Sequence, residues 1–174
     1  MNDSLKNFNM SNDNLYNNIL LLSRNRLFYT KINLSDTFQN RINLIFIHIS
    51  FLLIKIKYDK NSDKYKNFSQ NIFDLIFRKI DLNMREIGFG DVSVNKNMKF
   101  LVKCFYNILF NCEKYNKMDI NGKASFLFGF LDEKSPKISP FNSGLVDYFD
   151  KYQIFCFDLK ADSVLQGNFN FTYK

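Results

Sequence analysis

Asp81-Leu-Asn-Met-Arg-Glu-Ile-Gly-Phe-Gly-Asp-Val-Ser-Val-Asn-Lys96 lies between two apolar, helically periodic segments. It reads as a helix end, a tight turn and a new helix start. Gly88 suits the left-handed conformation that closes a helix, and Ser93 or Asp91 can cap the next one. Capping does not require two carboxylates and an arginine in the turn before. That excess of polar detail marks Asp81, Arg85, Glu86 and Asp91, with Lys96 at the end of the stretch, as candidate contact residues for a client or partner.

On either side of the turn the apolar spacing is helical. Upstream, a helix is predicted over 63–87, with Phe68, Ile72, Leu75 and Ile76 in one apolar set and Phe73, Phe77, Ile80 and Met84 in a second. The two sets together bury most of its circumference. Downstream, 94–114 is amphipathic through Met98, Leu101, Val102, Phe105, Leu109 and Cys112. Further out, Asp36-Thr-Phe-Gln39 reads as a capping box opening a helix to about Tyr58. Its longest apolar run, Ile42 to Ile54, is 13 residues and contains Asn43, His48 and Ser50. That is too short to cross a bilayer, which takes about 20 residues, so the run reads as a buried helix.

A first helix is expected over 14–26, preceded by a frayed tail within residues 1–22, and the folded domain over 23–174. Residues 28–34 read as a connector. Shorter helices are expected from Gly122 to Leu131 and from Ser143 to Leu159, separated by a Ser-Pro-Lys-Ile-Ser-Pro loop at 135–140. With two prolines and six glycines in 174 residues, little interrupts long helices. The expected fold is all-α, a single domain of about six main helices.

Composition narrows the function classes. Three cysteines without a CxxC pair and one histidine argue against a zinc site. Cys104, Cys112 and Cys156 read as small buried side chains in a reducing compartment. The Asn-rich start, with Asp3 and Asp13, matches neither a secretory signal nor an acid-poor transit peptide, so a bacterial cytoplasmic protein is expected. No nucleophile, metal cluster or phosphate loop stands out; Gly88-x-Gly90 follows a helix and lacks a third glycine. The chain reads as a protein without enzymatic activity or cofactor. Net charge is +7, split as +8 over residues 1–117 and −1 over 118–174. Such a one-sided basic field suits an anionic partner, RNA or lipid headgroups.

Three side-chain sets remain open to more than one reading. Asp74, Arg78, Asp81 and Arg85 form an alternating stripe, either a solvated face or one side of a seam in which Arg41 pairs with Asp81. Arg41, His48 and Lys55 recur every seven residues on the facing helix. His48 is either a hydrogen-bonded core residue or a haem ligand or catalytic base. Lys96, Lys99, Lys103 and Lys114 are a solvated face or a basic surface for ribosomal RNA or anionic lipid. The interleaved Phe and Tyr residues are expected to point to the core, against a stacking platform for single-stranded nucleic acid.

An ordered set of pieces carries more than any of these alone. Ser23-Arg24, Phe28-Tyr29-Thr30, Asp36-Thr37, Arg41 and His48 precede the 81–96 stretch, and Phe105-Tyr106 and Leu165-Gln166-Gly167-Asn168-Phe169 follow it. From residue 23 to the end, the chain resembles the ubiquinol–cytochrome c chaperone family, assembly factors for cytochrome b of respiratory complex III. It departs from the family at Asn95, where a proline is common, and at Asn107-Ile108, where Gly-Arg often follows Phe-Tyr. A role belonging to that arginine is not carried over.

The resemblance implies a non-enzymatic assembly chaperone that binds newly synthesised cytochrome b and supports biogenesis of the cytochrome bc complex. It also implies a ribosome contact, a small partner subunit and peripheral contact with the anionic surface of the inner membrane. Arg41, His48, Asp81, Arg85, Glu86, Asp91 and Lys96 are then the residues to examine for client or partner contact. The alternative is a ribosome- or RNA-binding module without chaperone activity.

Overall fold

The computed structural model describes residues 2–58, 62–131 and 143–173. Among them are six helices of twelve or more residues: α1 (Asn2–Ser23), α3 (Phe38–Lys57), α4 (Ser62–Glu86), α5 (Asp91–Lys114), α6 (Ile120–Leu131) and α7 (Ser143–Asp158). Two single-turn helices, α2 (Arg26–Thr30) and α8 (Ala161–Leu165), and a 3₁₀ turn at Tyr115–Lys117 complete the set. No strand occurs among the described residues. The all-α, single-domain expectation holds. The 135–140 loop lies outside the described residues.

Helix α3 is the axis. Every residue from Ile42 to Ile54 is buried, and α1, α4, α5, α6, α7 and α8 all pack against it. A helix apolar on all sides is stable only when surrounded, and this one is. Its polar residues are satisfied inside. Ser50 Oγ donates to the Phe46 carbonyl at 2.7 Å, and Asn43 Nδ2 reaches across to the Phe130 carbonyl of α6 at 2.5 Å. Lys55 Nζ donates to the Phe157 carbonyl at the end of α7 at 2.8 Å, where a cation also complements the helix dipole.

The turn between α4 and α5 forms as its glycines require. Gly88 has φ +95°, its N–H bonds to the Arg85 carbonyl, and the Phe89 N–H bonds to the Met84 carbonyl, closing α4 in a Schellman motif. The start of α5 differs from expectation. Gly90 is the N-cap and no side chain caps it, so neither Asp91 nor Ser93 has that role. Asp91 is the first helical residue, and its carboxylate turns back toward α4. The start of α3 also differs: Thr37, not Asp36, is the N-cap, its Oγ1 accepting from the Asn40 N–H at 3.1 Å. Gln39 extends forward to Asn43 instead of closing a capping box. Thr37 is preferred because Asp36 is held by Arg41.

The N-terminal segment is a helix where a frayed tail was expected, and it stops at Ser23 instead of Arg26. Asn25 caps α2, its Oδ1 accepting from the Leu27 N–H at 3.0 Å, which breaks the expected continuation and makes a helix within the expected connector. What orders α1 is far away in sequence. Leu15, Tyr16 and Ile19 are buried, and Asn18 Nδ2 donates to the Gly167 carbonyl at 2.7 Å. Gly167 has φ +64°, and a Cβ there would lie 2.5 Å from the Leu15 nitrogen and 2.8 Å from the Ser11 carbonyl oxygen. The chain after α8 therefore lies against α1 at a separation only glycine permits.

Candidate functional site

The expected seam between Arg41 and Asp81 does not form. Arg41 makes a two-pronged contact with Asp36, Nε to Oδ1 at 2.6 Å and Nη2 to Oδ2 at 2.8 Å, on the exposed start of α3. The pairing holds the Asp36 carboxyl below its usual range, chiefly through the hydrogen bond from Arg41. Asp81 pairs instead within its own helix, accepting from Arg85 Nε at 2.8 Å. Arg85 also donates to Asp91, so one guanidinium bridges the last turn of α4 and the first of α5. Hydrogen bonds donated to Asp81 and then to Asp91 hold the Arg85 guanidinium charge more firmly than usual. Of the acidic–basic stripe, Asp81 and Arg85 form an i,i+4 ion pair, while Asp74 accepts from Gln70.

Asp81, Arg85 and Asp91 thus come together as a clamp on the turn, not as a cavity. Glu86 is exposed beside them, with Ile87, Phe89 and Val92 also open to solvent, Val92 at 85%. The result is an apolar edge around a fixed charge cluster.

His48 lies at the opposite extreme, fully buried. Its Nδ1 contacts the Leu44 carbonyl at 2.6 Å, so that nitrogen carries the proton. Nε2 then accepts from the Tyr148 hydroxyl at 2.9 Å, tying α3 to α7. Burial lowers the imidazole pKa to about 4, the Leu44 hydrogen bond opposing this. Burial likewise raises that of the Tyr148 phenol, which keeps its proton to donate. Both ring nitrogens are engaged in the core, with none presented to a haem or substrate.

Helix α5 presents a face that the sequence reading misassigned. Lys96, Lys99, Lys103 and Lys114 are exposed as expected, but so are aromatic residues among them. Phe100 is 56% exposed, Tyr106 55% and Phe110 54%, while Phe105 alone of the four is in the core. At 100° per residue, Lys96, Phe100, Lys103, Phe110 and Lys114 share one face, and Lys114 Nζ sits 3.7 Å from the Phe110 ring centroid. The expectation that the interleaved aromatics point to the core fails for Phe100, Tyr106 and Phe110; on this helix aromatics occur on both sides.

At the end of the α4–α5 pair far from the Gly88 turn lies a groove of about 480 Å³. Its floor is α3 at Leu53 and Ile54, and its walls are Phe73 of α4 and Phe105, Tyr106 and Leu109 of α5. Phe73 packs against Phe105 and Tyr106 with ring centroids at 5.4 and 5.9 Å, giving a continuous aromatic wall. One rim is polar: Lys57 pairs with Glu113 at 2.6 Å, and the hydrogen bond from Lys57 lowers the Glu113 pKa. An apolar trough with a charged lip can take an apolar helix or extended segment; it has no acid–base constellation.

A family model described as ubiquinol-cytochrome C chaperone matches residues 30–118, half of the chain. The chain belongs to that family. The matched region contains Asp36–Arg41, the α4–α5 turn, the lysine face of α5 and every residue lining the groove. The crystal structure of the Cbp3 homolog from Brucella abortus is similar at TM-score 0.83 and 22% identity, covering 98% of this chain and 93% of that one. At that identity the likeness establishes the fold, including α1 and the C-terminal segment outside the family match. No curated protein matches. No described helix is long and apolar enough to cross a membrane.

Sequence reasoning missed the groove. Phe73 and Leu109 have the same spacing as fully covered core residues, and no local signal reveals that α4 and α5 leave them half-covered. Phe105-Tyr106 was singled out by resemblance, and the two side chains stand on one groove wall.

Proposed function

We propose that this chain is an assembly chaperone that holds newly made cytochrome b, a respiratory complex III subunit, until that complex assembles. The observation that carries the reading is the open aromatic groove between α4 and α5 in a member of the ubiquinol–cytochrome C chaperone family. A membrane-protein client exposes apolar helices before insertion, and such helices are held by an apolar trough of this kind. The basic face of α5 beside it supports delivery at an anionic surface, the ribosome or the cytoplasmic leaflet of the inner membrane. The apolar edge at Ile87, Phe89 and Val92, with Glu86 and the Asp81–Arg85–Asp91 clamp, supports a contact with a small partner subunit. Action at the cytoplasmic side of a bacterial membrane, without catalysis or cofactor, completes this reading.

Capture of cytochrome b from cell extract by the tagged chain tests it. Leu109→Glu, which places a charge in the groove, is expected to abolish capture while the protein stays folded, and deletion of the gene to lower assembled complex III with cytochrome b transcript intact. Undiminished capture by Leu109→Glu contradicts the groove assignment. Normal complex III in the deletion strain contradicts the chaperone role.

A second reading has its own observation. Lysines alternating with exposed Phe100 and Phe110 are the arrangement on which bases stack while phosphates are neutralised. A ribosome- or RNA-binding module would show salt-dependent RNA affinity, lowered by changing Lys96, Lys99 and Lys103 to Gln, without cytochrome b capture.

A further inference from the structure

Neither the groove nor the α5 face uses the charge gathered at the corner between α1 and α3. There Arg24, Arg26 and Arg41 line one open pocket of about 490 Å³ with Tyr29, Thr30 and Asp36. Local structure brings them together. Ser23 ends α1, Asn25 restarts the chain as α2, and the two arginines flanking Asn25 emerge at a sharp corner. Arg41 comes from the first turn of α3 and is held in place by both oxygens of Asp36.

The pocket is short of negative charge. Three guanidiniums face one carboxylate, and among the described residues no carboxylate pairs with Arg24 or Arg26, both exposed. Its hydroxyl protons are already committed: Tyr29 donates to the Ser23 carbonyl at 3.0 Å and Thr30 to the Arg26 carbonyl at 2.9 Å. The free donors are therefore guanidinium N–H groups, five on each of Arg24 and Arg26 and the remainder on Arg41. A carboxylate offers two oxygens and one charge. A phosphate group offers three oxygens and up to two charges, and it matches forked donors arriving from several directions.

We propose that this pocket binds a phosphate group, with Arg24 and Arg26 as its principal ligands and Arg41, oriented by Asp36, as the third. The phosphate belongs either to an anionic lipid headgroup or to a small soluble molecule. The site lies apart from the client groove and does not depend on the chaperone reading.

The test uses the full chain at constant ionic strength with two probes. One is inorganic phosphate, followed by calorimetry; the other is phosphatidylcholine vesicles with and without phosphatidic acid, followed by sedimentation. The double variant Arg24→Gln/Arg26→Gln is expected to lose about tenfold or more in affinity for whichever probe the parent binds, since charge-assisted forked contacts are removed. Lys117→Gln/Lys160→Gln removes the same charge elsewhere and should cost less than about threefold, because neither lysine lines the pocket and exposed charges are screened by salt. Both arginines are exposed, so the melting temperature should stay at the parent's value; Arg26→Gln alone carries the test if the double variant melts early. Loss confined to phosphatidic acid vesicles assigns a lipid headgroup, and loss with both probes assigns the phosphate group itself. A parent that binds neither probe, an arginine variant that binds as the parent does, or an equal loss in the lysine control overturns the proposal.

Discussion

The α3–α7 seam and the outer face of α5 are built from the same kinds of residue and end in opposite states. In the seam, Phe51, Tyr148 and Tyr152 are wholly covered, as is Phe46 on the α4–α5 side of α3, and His48 and Tyr148 satisfy each other. On α5, Phe100 and Phe110 are more than half exposed beside lysines, and the groove next to them leaves Phe73 and Leu109 half-covered. Burial of an aromatic side chain removes much of its 150–250 Å² from water, roughly, so leaving several open forfeits stability. The seam spends its aromatics on folding, whereas α5 and the groove keep theirs available for a partner.

That contrast predicts effects in a definite order. Phe46→Ala opens a cavity beneath Phe77 and Phe105 and should cost about 3–5 kcal/mol in denaturant unfolding. A cost below about 1 kcal/mol would mean that the centre of α3 is not a close-packed core. Next comes pH. The imidazole of His48 titrates near 6.5 when unfolded and at about 4 when folded, so the unfolded chain binds more protons between those values. Stability should therefore fall as pH drops through that window, by on the order of 3 kcal/mol in full, with none of this effect above pH 7 or so. A His48→Leu variant should lack the part of the fall between roughly pH 6.5 and 5, before carboxylates contribute. An unchanged slope would show that His48 is not buried neutral.

Smaller still is Tyr148→Phe, which leaves the His48 Nε2 without its donor at a cost of about 1–3 kcal/mol. On the other side of the comparison, Phe110→Ser should change stability by no more than about 0.5 kcal/mol, as for other open surface positions. Its effect should appear in capture of the client instead. Should Phe110→Ser destabilise as much as Phe46→Ala, the covered and the open aromatic residues would not differ in the way described. The smallest effect concerns Arg41→Gln and Asp81→Asn. Each group pairs with a different neighbour, so the double variant should unfold at the sum of the single changes.

How much of this was legible in the sequence follows from the range of the interactions involved. Helices α3, α4 and α5 were readable to within a few residues because their apolar period and the Gly88 stop are local signals. Helix α1 was readable only from residue 14 on, and its contact through Leu15 and Asn18 with Gly167, about 150 residues away in sequence, left no local signal. The Arg41–Asp81 pairing failed for the opposite reason. Counting registers between helices brought the two level, but Asp36 stood five residues from Arg41 on the same strand of chain and reached it first. Of the candidate contact residues, Asp81, Arg85 and Asp91 do cluster, and Lys96, Lys99, Lys103 and Lys114 are exposed; His48 is sealed inside the core. Exposure itself was the illegible quantity. Helical period puts Phe100 and Phe105 on different faces of α5, but only the packing of α4 and α3 against one side of it shows which face stays open.

The central claim, that the groove between α4 and α5 holds the client, is open to direct measurement. A photoreactive residue placed at Leu109 in the groove, and separately at Ile154 on the exposed side of α7, can be irradiated while cytochrome b is being synthesised. The account predicts a crosslink to cytochrome b from position 109 and none from 154. Equal crosslinking from both positions, or a crosslink from 154 alone, would contradict it.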